Sequence, residues 1–305
     1  MIICVGSVFV DHIANIDIFP KKPIKVLANN IDKRLGGAAA VAALTVKKFD
    51  GKVEFVGRIG DDDASAFIKK ELNSYKLKYS KSLILRNTSS SQSYIFEDKK
   101  GERLLAAYSS KKLLLTKKIP HFVLSNNHTY LFDTRWIEAA LYLSRQSAID
   151  KIKCVGDIDN FKMNKDIKEI VLNTTYPIFS ENGLYDFCKI KSSLKALKNL
   201  FKLKNKFYAV TLGEKGVMWI ENHQVYLCKP LKIKVVETNG AGDVFHGAFA
   251  YSVDQNNDIS HAIKFATAAA TLKCTKKGGT RTLPSLSSVN KLAAKLKIIK
   301  VHTYI

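Results

Sequence analysis

The sequence has no apolar run that approaches the ~20 residues needed to cross a bilayer, so no membrane-spanning helix is expected. Its opening residues, Met1 to Gly6, lack the basic region and the cleavage site of a signal peptide. They read instead as a first strand, and the expected location is the cytoplasm. Cysteine is sparse, with five residues at 4, 154, 188, 228 and 274, odd in number and in no Cys-x-x-Cys pair. That pattern suits free thiols in a reducing compartment and excludes a disulfide framework. Cys4 and Cys154 fall in predicted strands and read as core residues. The seven histidines show no ligand spacing, so no zinc site is expected. There is no long repeat and no Gly-x-x-x-x-Gly-Lys-Ser/Thr, which excludes a P-loop enzyme.

Acidic residues are also in short supply: 27 Asp and Glu stand against 49 Lys and Arg, a net charge of +22. Arginine is scarce, so the excess is nearly all lysine. Its densest clusters are short, at Lys21, Lys22 and Lys25, at Lys111 and Lys112, at Lys117 and Lys118, and at Lys276 and Lys277. No long basic run with interleaved aromatics occurs. The expected reading is a lysine-rich solvated surface and not a nucleic-acid or membrane face, although such a field would steer an anionic substrate.

What is present is enough for a full core: 305 residues, 46% hydrophobic. Ile2 to Val5 reads as a buried strand. Two extended pieces follow, from Asp11 to Pro20 with strict apolar–polar alternation and from Lys25 to Arg34. They fit no crossover unit and suggest a small antiparallel sheet set apart from the main one. A hairpin over residues 89–108, turning at Gly101, is paired with them as a lid over a cleft. Gly36 and Gly37 open an Ala-rich helix from Ala38 to Phe49. The strand Lys52 to Gly57 leads to Asp61, Asp62 and Asp63, of which the last two read as helix capping for Ala64 to Tyr75.

From residue 128 strands alternate with helices: His128–Asp133, Ile152–Gly156, Pro177–Ser180 and Phe207–Thr211. A hairpin, Met218–Ile220 with Gln224–Cys228, follows. Alternation of this kind predicts a mostly parallel sheet covered on both faces, with ligands at the carboxyl ends of its strands. Asp133, Arg135, Asp157, Glu181, Thr211 and Asp243 fall at or after such ends. Helices are expected over Ser260–Thr275 and Leu286–Ile298.

The most informative stretch is residues 235–251. Val235 and Val236 are expected to end a strand, Gly240-Ala241-Gly242 to form a turn that a ligand can approach closely, and Val244 to Tyr251 to be helical. Strand, glycine turn and helix start together make an anion site. Asp243 lies in that first turn. A carboxylate beside a phosphate site is awkward unless it has a task, and taking a proton from an acceptor hydroxyl is the obvious one.

The run Glu237 to Gly247, with Gly-Ala-Gly-Asp at 240–243, resembles the C-terminal signature of the ribokinase-like (phosphofructokinase-B type) sugar kinases. Gly36-Gly37 and Gly57 to Asp62 resemble the family's two earlier motifs at the right distance, with Val41 where the family usually carries Asn. The resemblance covers essentially the whole chain. It implies a single α/β domain over 1–305 with a mostly parallel central sheet, helices on both faces and a small β-sheet lid formed by about 11–34 and 89–108. It implies Asp243 as the general base, and Gly240, Ala241 and Gly242 as the hole for the transferring phosphoryl group. Asp11, Gly36 and Gly37 would bind the sugar. Thr211, Gly213, Gly216, Lys273 and Gly278 would border ATP. Mg²⁺ would bridge the phosphates. The family's Asn-x-x-Glu motif is Ser180 to Gly183 here, lacking its second carboxylate, with Glu181 as a substitute metal residue. Many members also use K⁺, held in part by an Asp at the position of Glu237.

Within the family the sequence is most similar to the 6-deoxy-6-sulfofructose kinases, through Ser90–Ser93, Lys100–Arg103, Arg135-Trp136, Phe179–Glu181, Gly242–Gly247 and Leu272–Thr275. That subgroup grips a sulfonate with a Lys in the first lid strand and an Arg before the Trp; the matching residues are Lys25 and Arg135. The subgroup's Asn in the second hairpin aligns near Ala107. The expectation is therefore an ATP-dependent kinase of a primary hydroxyl on a ketose-like, anionic sugar. Alternatives are a kinase of a neutral sugar such as ribose or fructose, and a non-catalytic nucleic-acid-binding protein. The open edges of the lid suggest a homodimer formed through it.

Overall fold

The computed structural model describes residues 1–120, 124–159 and 161–301. Among them, ten strands form one large sheet. It runs from Leu83–Ile84 through Val53–Ile59, Ile2–Gly6, Thr129–Asp133, Lys153–Ile158, Tyr176–Ser180 and Tyr208–Thr211, with every neighbouring pair parallel. Val217–Glu221, Gln224–Cys228 and Ile298–Val301 continue it with antiparallel pairs. The parallel strands are nearly unbroken apolar runs because helices cover both faces. Successive side chains go to opposite layers. Cys4, Phe55 and Leu131 pack with the Ala-rich helices Ala38–Lys48, Ala241–Asp254 and Ile259–Lys273. Ile3, Tyr130 and Cys154 pack with Ile137–Asp150, Lys165–Asn173 and Ser193–Leu203. Both core cysteines are thus where the pattern put them. This is the ribokinase-like α/β fold expected from the sequence.

Small side chains let two of these helices meet almost backbone to backbone. A Cβ on Gly247 would lie 2.5 Å from the Ala42 carbonyl oxygen, so only glycine fits that crossing. The contact holds the helix Ala241–Asp254, which carries Asp243, against the helix that begins after Gly36-Gly37. Asp62 caps the helix Asp63–Ser74 by accepting from the Ser65 N–H at 3.0 Å, as its position suggested.

Two expected elements differ. The last helix stops at Ala293, and Ile298–Val301 becomes an edge strand on Gln224–Cys228. Ile298, Ile299 and Val301 are β-branched and find an open edge there. Val235 and Val236 are not in a strand; they are 58% and 48% exposed. The neighbouring strand Gln224–Cys228 is already paired on both sides, so this segment has no edge to join. It is tethered through the Val236 N–H to the Cys274 carbonyl at 2.8 Å.

The second sheet has four strands in the order Asn30–Gly36, Phe9–Asn15, Gln92–Glu97, Arg103–Tyr108. Its outer pairs are antiparallel, but the central pair, Phe9–Asn15 with Gln92–Glu97, is parallel. These two strands are joined through elements of the large sheet and not by a hairpin, which permits the same direction. The first edge strand begins at Asn30, so Lys25 is outside it, on an exposed stretch. The alternation works as a two-sided surface. Arg34, Asp11, Ser93 and Ala107 share one row facing the large sheet, while Ile31, Ala14, Phe96 and Leu104 share a row on the other side.

Candidate active site

A cavity of about 180 Å³ lies at the carboxyl ends of the parallel strands, under the inner face of the small sheet. The small sheet contributes Asp11 and Ser93, the strand ends contribute Asp133, Arg135, Asp157 and Asp159, and the turn after residue 238 contributes Asn239, Gly240 and Asp243. This is where an open parallel sheet binds its ligands.

Asp243 occupies the first turn of Ala241–Asp254. Gly240 precedes that helix with φ +74°, a left-handed conformation natural to glycine. No side chain caps this helix start. A Cβ on Gly242 would meet nothing within 4 Å, so the turn is open on that side. Burial pushes the Asp243 carboxyl up to about 7, reinforced by the charge of Asp157, opposed by His246, and raised again by Asp133 and Asp11. His246, one turn later, is buried and held by its Nδ1, 2.8 Å from the Gly242 carbonyl oxygen. A carbonyl only accepts, so Nδ1 carries the hydrogen. Its Nε2 stands 3.6 Å from Asp157 Oδ1. Burial also raises Asp157 well above the usual carboxylate range, with the charges of Asp133 and Asp159 adding to it.

Asp11 Oδ1 accepts from Ser93 Oγ at 2.5 Å. Burial raises its pKa, while that hydrogen bond and the charges of Arg34 and His12 oppose the rise. Any side chain at residue 36 would collide with the Asp11 carboxylate, which explains one of the paired glycines. Asp133 is a tie between elements. Its Oδ2 accepts from the Ser7 N–H and Oγ, both at 2.7 Å, and from the Ala39 N–H at 3.2 Å. Its Oδ1 accepts from the Arg135 N–H at 3.0 Å. The Arg135 guanidinium lies over the Phe9 ring, 5.6 Å from its centre.

Of the residues singled out in the sequence, Asp11, Gly36, Gly37, Arg135, Gly240, Asp243 and Lys273 line this one cavity. Ala241 and Gly242 continue its turn. Gly278 adjoins it through Glu237, whose Oε2 accepts from the Gly278 N–H at 3.1 Å. Lys25 does not line it: the expected two-residue anion clamp is reduced to Arg135. Thr211, Gly213, Gly216 and Glu181 gather instead at the ends of two neighbouring strands, outside the cavity. Thr211 pairs with Ser180, and Glu181 faces Lys215 at 3.7 Å. Among the described residues no group of three or more His, Cys, Asp or Glu is placed to hold a metal ion. Glu181 is therefore in no such group and faces Lys215 instead, and Mg²⁺ does not fit there as an ion held by the protein alone.

Sequence reading missed Arg34, His246 and Ser93 as site residues, while Asp157, read only as lying at a strand end, lines the cavity. Arg34 binds Glu237 at 2.6 Å, deep in the structure. Its scarcity as a residue type and its place just before Leu35-Gly36-Gly37 were the available signals. His246 lies on the helix of Asp243 at i+3, a spacing that puts both on one side.

The family model for pfkB family carbohydrate kinases matches residues 1–286. The chain is similar to the ribokinase of Lactococcus lactis subsp. lactis, 37% identical over 117 residues, which are 38% of this chain and 38% of that one. It is similar over nearly its full length to the ribokinase of Staphylococcus aureus, 22% identical over 304 residues, 95% of this chain and 99% of the other. A structure from Agrobacterium tumefaciens presented as a candidate ribokinase superposes with a TM-score of 0.90 at 25% identity, covering 96% of this chain and 97% of that one.

Proposed function

The chain belongs to the pfkB family of carbohydrate kinases, and on that premise we propose that it moves a phosphoryl group from ATP to a primary hydroxyl of a sugar held under the small sheet. The observation that carries this reading is Asp243: half-buried, raised to about 7, and set at an uncapped helix start in the same cavity as Asp11. A base that titrates near neutral pH is ionised in use and still basic enough to take a hydroxyl proton. The turn Gly240 to Gly242 suits the charge that develops on the phosphoryl oxygens. Asp11, fixed by Ser93, accepts from sugar hydroxyls. The small sheet excludes water, which would otherwise compete for the phosphoryl group. Thr211, Gly213, Gly216 and Gly278 would border the ATP, as the family resemblance implies, whereas Lys273 is in the cavity wall and paired with Glu237. ATP supplies the phosphoryl group, and Mg²⁺ would arrive on its phosphates, as that ion prefers.

Carboxylates dominate the cavity wall, which favours a neutral polyol such as ribose or fructose. Arg135 favours a second reading, a sugar bearing an anionic group such as 6-deoxy-6-sulfofructose, since its guanidinium is a cation on the same wall. ADP release measured with ATP and Mg²⁺ over ribose, fructose, fructose 6-phosphate and 6-deoxy-6-sulfofructose tests both. Sugar-dependent ADP release is expected, and none with any sugar would sink the proposed acceptors. We also propose that two copies associate through the outer face of the small sheet, where Ile31 is 75%, Leu104 61% and Phe96 44% exposed.

A further inference from the structure

Glu237 already carries two cations. Its Oε1 accepts from Arg34 Nη1 at 2.6 Å, and its Oε2 from Lys273 Nζ at 3.0 Å. Oε2 also accepts from the N–H groups of Gly279 at 2.9 Å and Gly278 at 3.1 Å. The three side chains are 4%, 6% and 1% exposed for Glu237, Arg34 and Lys273. The resemblance places K⁺ beside the acidic residue at this position in many family members. K⁺ does not fit here. A further cation would stand against Lys273 and Arg34 in one buried site, where like charges repel strongly, and the oxygen it would bind is already met by three N–H donors.

The cluster joins three parts of the site. Glu237 leads directly into the turn that ends at Gly240. Gly278 and Gly279 follow the helix Ile259–Lys273, whose last residue supplies the ammonium at the negative end of the dipole. Arg34 belongs to the strand that ends at Gly36, and its Nε binds Asp32 at 2.6 Å. We propose that the Lys273 ammonium is this chain's built-in counter-cation for Glu237, a positioning residue that holds the anion turn to the Gly278-Gly279 loop, so that the kinase works without K⁺.

The proposal rests on the kinase reading, so its test has two arms. In the first, initial rates are compared in choline chloride and KCl at equal ionic strength. Wild type should run equally in both. Lys273→Ala should lose about 10²-fold, the size of a small misplacement of the site, and K⁺ or ammonium should restore much of that loss while choline should not. In the second arm, melting midpoints are read without substrate. KCl should raise the midpoint of Lys273→Ala over choline chloride by mass action and leave wild type unmoved; this arm needs no turnover, so it separates failure of the proposal from failure of the kinase reading. A wild type activated or stabilised by K⁺ over choline overturns the proposal, and needs no variant to fold. So does a folded Lys273→Ala that neither K⁺ nor ammonium rescues, which would mark the lysine as merely structural.

Discussion

Ser93 Oγ stands 2.5 Å from Asp11 Oδ1, across the parallel seam of the small sheet, where the two residues are register partners. The hydroxyl can only donate to an ionised carboxylate, so it fixes one oxygen of Asp11 and leaves the other toward the cavity. Ser93→Ala should therefore raise KM for the sugar by roughly 2- to 10-fold, the usual net worth of one hydrogen bond, with kcat little changed. Asp11→Ala should raise KM further. Steady-state kinetics decide it: a KM unaltered in both variants would remove Asp11 from the sugar site.

Asp243 carries the chemistry in this reading, and its loss should act on the rate and not on binding. Asp243→Asn is expected to lower kcat roughly 10²- to 10⁴-fold, the range of a general-base deletion. In wild type, kcat/KM should fall about tenfold per pH unit below about 7, where the carboxyl takes up its proton. The same group sets a stability trade. Its folded-state pKa is raised from 3.8 to about 7, so the native state binds the proton more tightly than the unfolded chain. Between those values a rising pH ionises the unfolded chain first and destabilises the fold, levelling off above about 7. Asp243→Asn, which cannot titrate, should melt above wild type at pH 8 and level with it near pH 4. A variant that melts no higher than wild type at pH 8 would contradict the burial argument.

Arg135 and Lys25 separate the two acceptor readings. Arg135 reaches the cavity and Lys25 does not. If the sugar carries an anion, Arg135→Ala should raise its KM, because the cation that would face that anion is lost, while ribose and fructose are unaffected. Lys25→Ala should change neither. A large effect of Lys25→Ala would show that the exposed stretch closes onto the substrate.

What the sequence made legible follows from how local each signal was. The anion turn, Gly247 and Asp243 lie within one short stretch, so spacing alone placed them together. The sheet strands announced themselves as apolar runs. The Arg34–Glu237–Lys273 cluster was illegible because its members come from three distant segments: Lys273 was matched to the ATP site and Glu237 to a K⁺ position, and only the fold brings them together with Arg34. Lys25 misled because the resemblance matched it to a lysine in the first lid strand, whereas the strand here begins only at Asn30. The expected helix ran on to Ile298, and the strand Ile298–Val301 was not foreseen, because the free edge it pairs with is created only by the tertiary fold.

The outer face of the small sheet gives a separate expectation. Ile31, Ala14, Phe96 and Leu104 make one apolar row, and Arg103–Tyr108 is an edge strand exposed at every residue. Faces of this kind are usually covered. Sedimentation of wild type should show a dimer, and Leu104→Asp with Phe96→Ser should shift it to monomer while the fold, read by circular dichroism, is kept. A monomeric wild type would leave the face to some other partner.

The buried ion cluster should also be visible in unfolding. Arg34→Met strips one cation from Glu237 and leaves Asp32 to Arg281, which binds it at 2.9 Å. Removing one member of a buried pair costs roughly 3–5 kcal/mol, because the remaining charge stays desolvated. Burial pushes the Glu237 carboxyl up, but the Gly279 N–H and the charges of Lys273 and Arg34 outweigh it and bring it from 4.5 down to about 2. A carboxylate with a lowered folded-state pKa stabilises the fold above its ordinary value, and that contribution is lost as pH falls toward the folded-state pKa. The gap between wild type and Arg34→Met in urea unfolding should thus be full at pH 7 and shrink between pH 4.5 and 2. A gap of the same size at pH 3 and pH 7 would mean that Arg34 supports the fold through packing and not through its charge on Glu237.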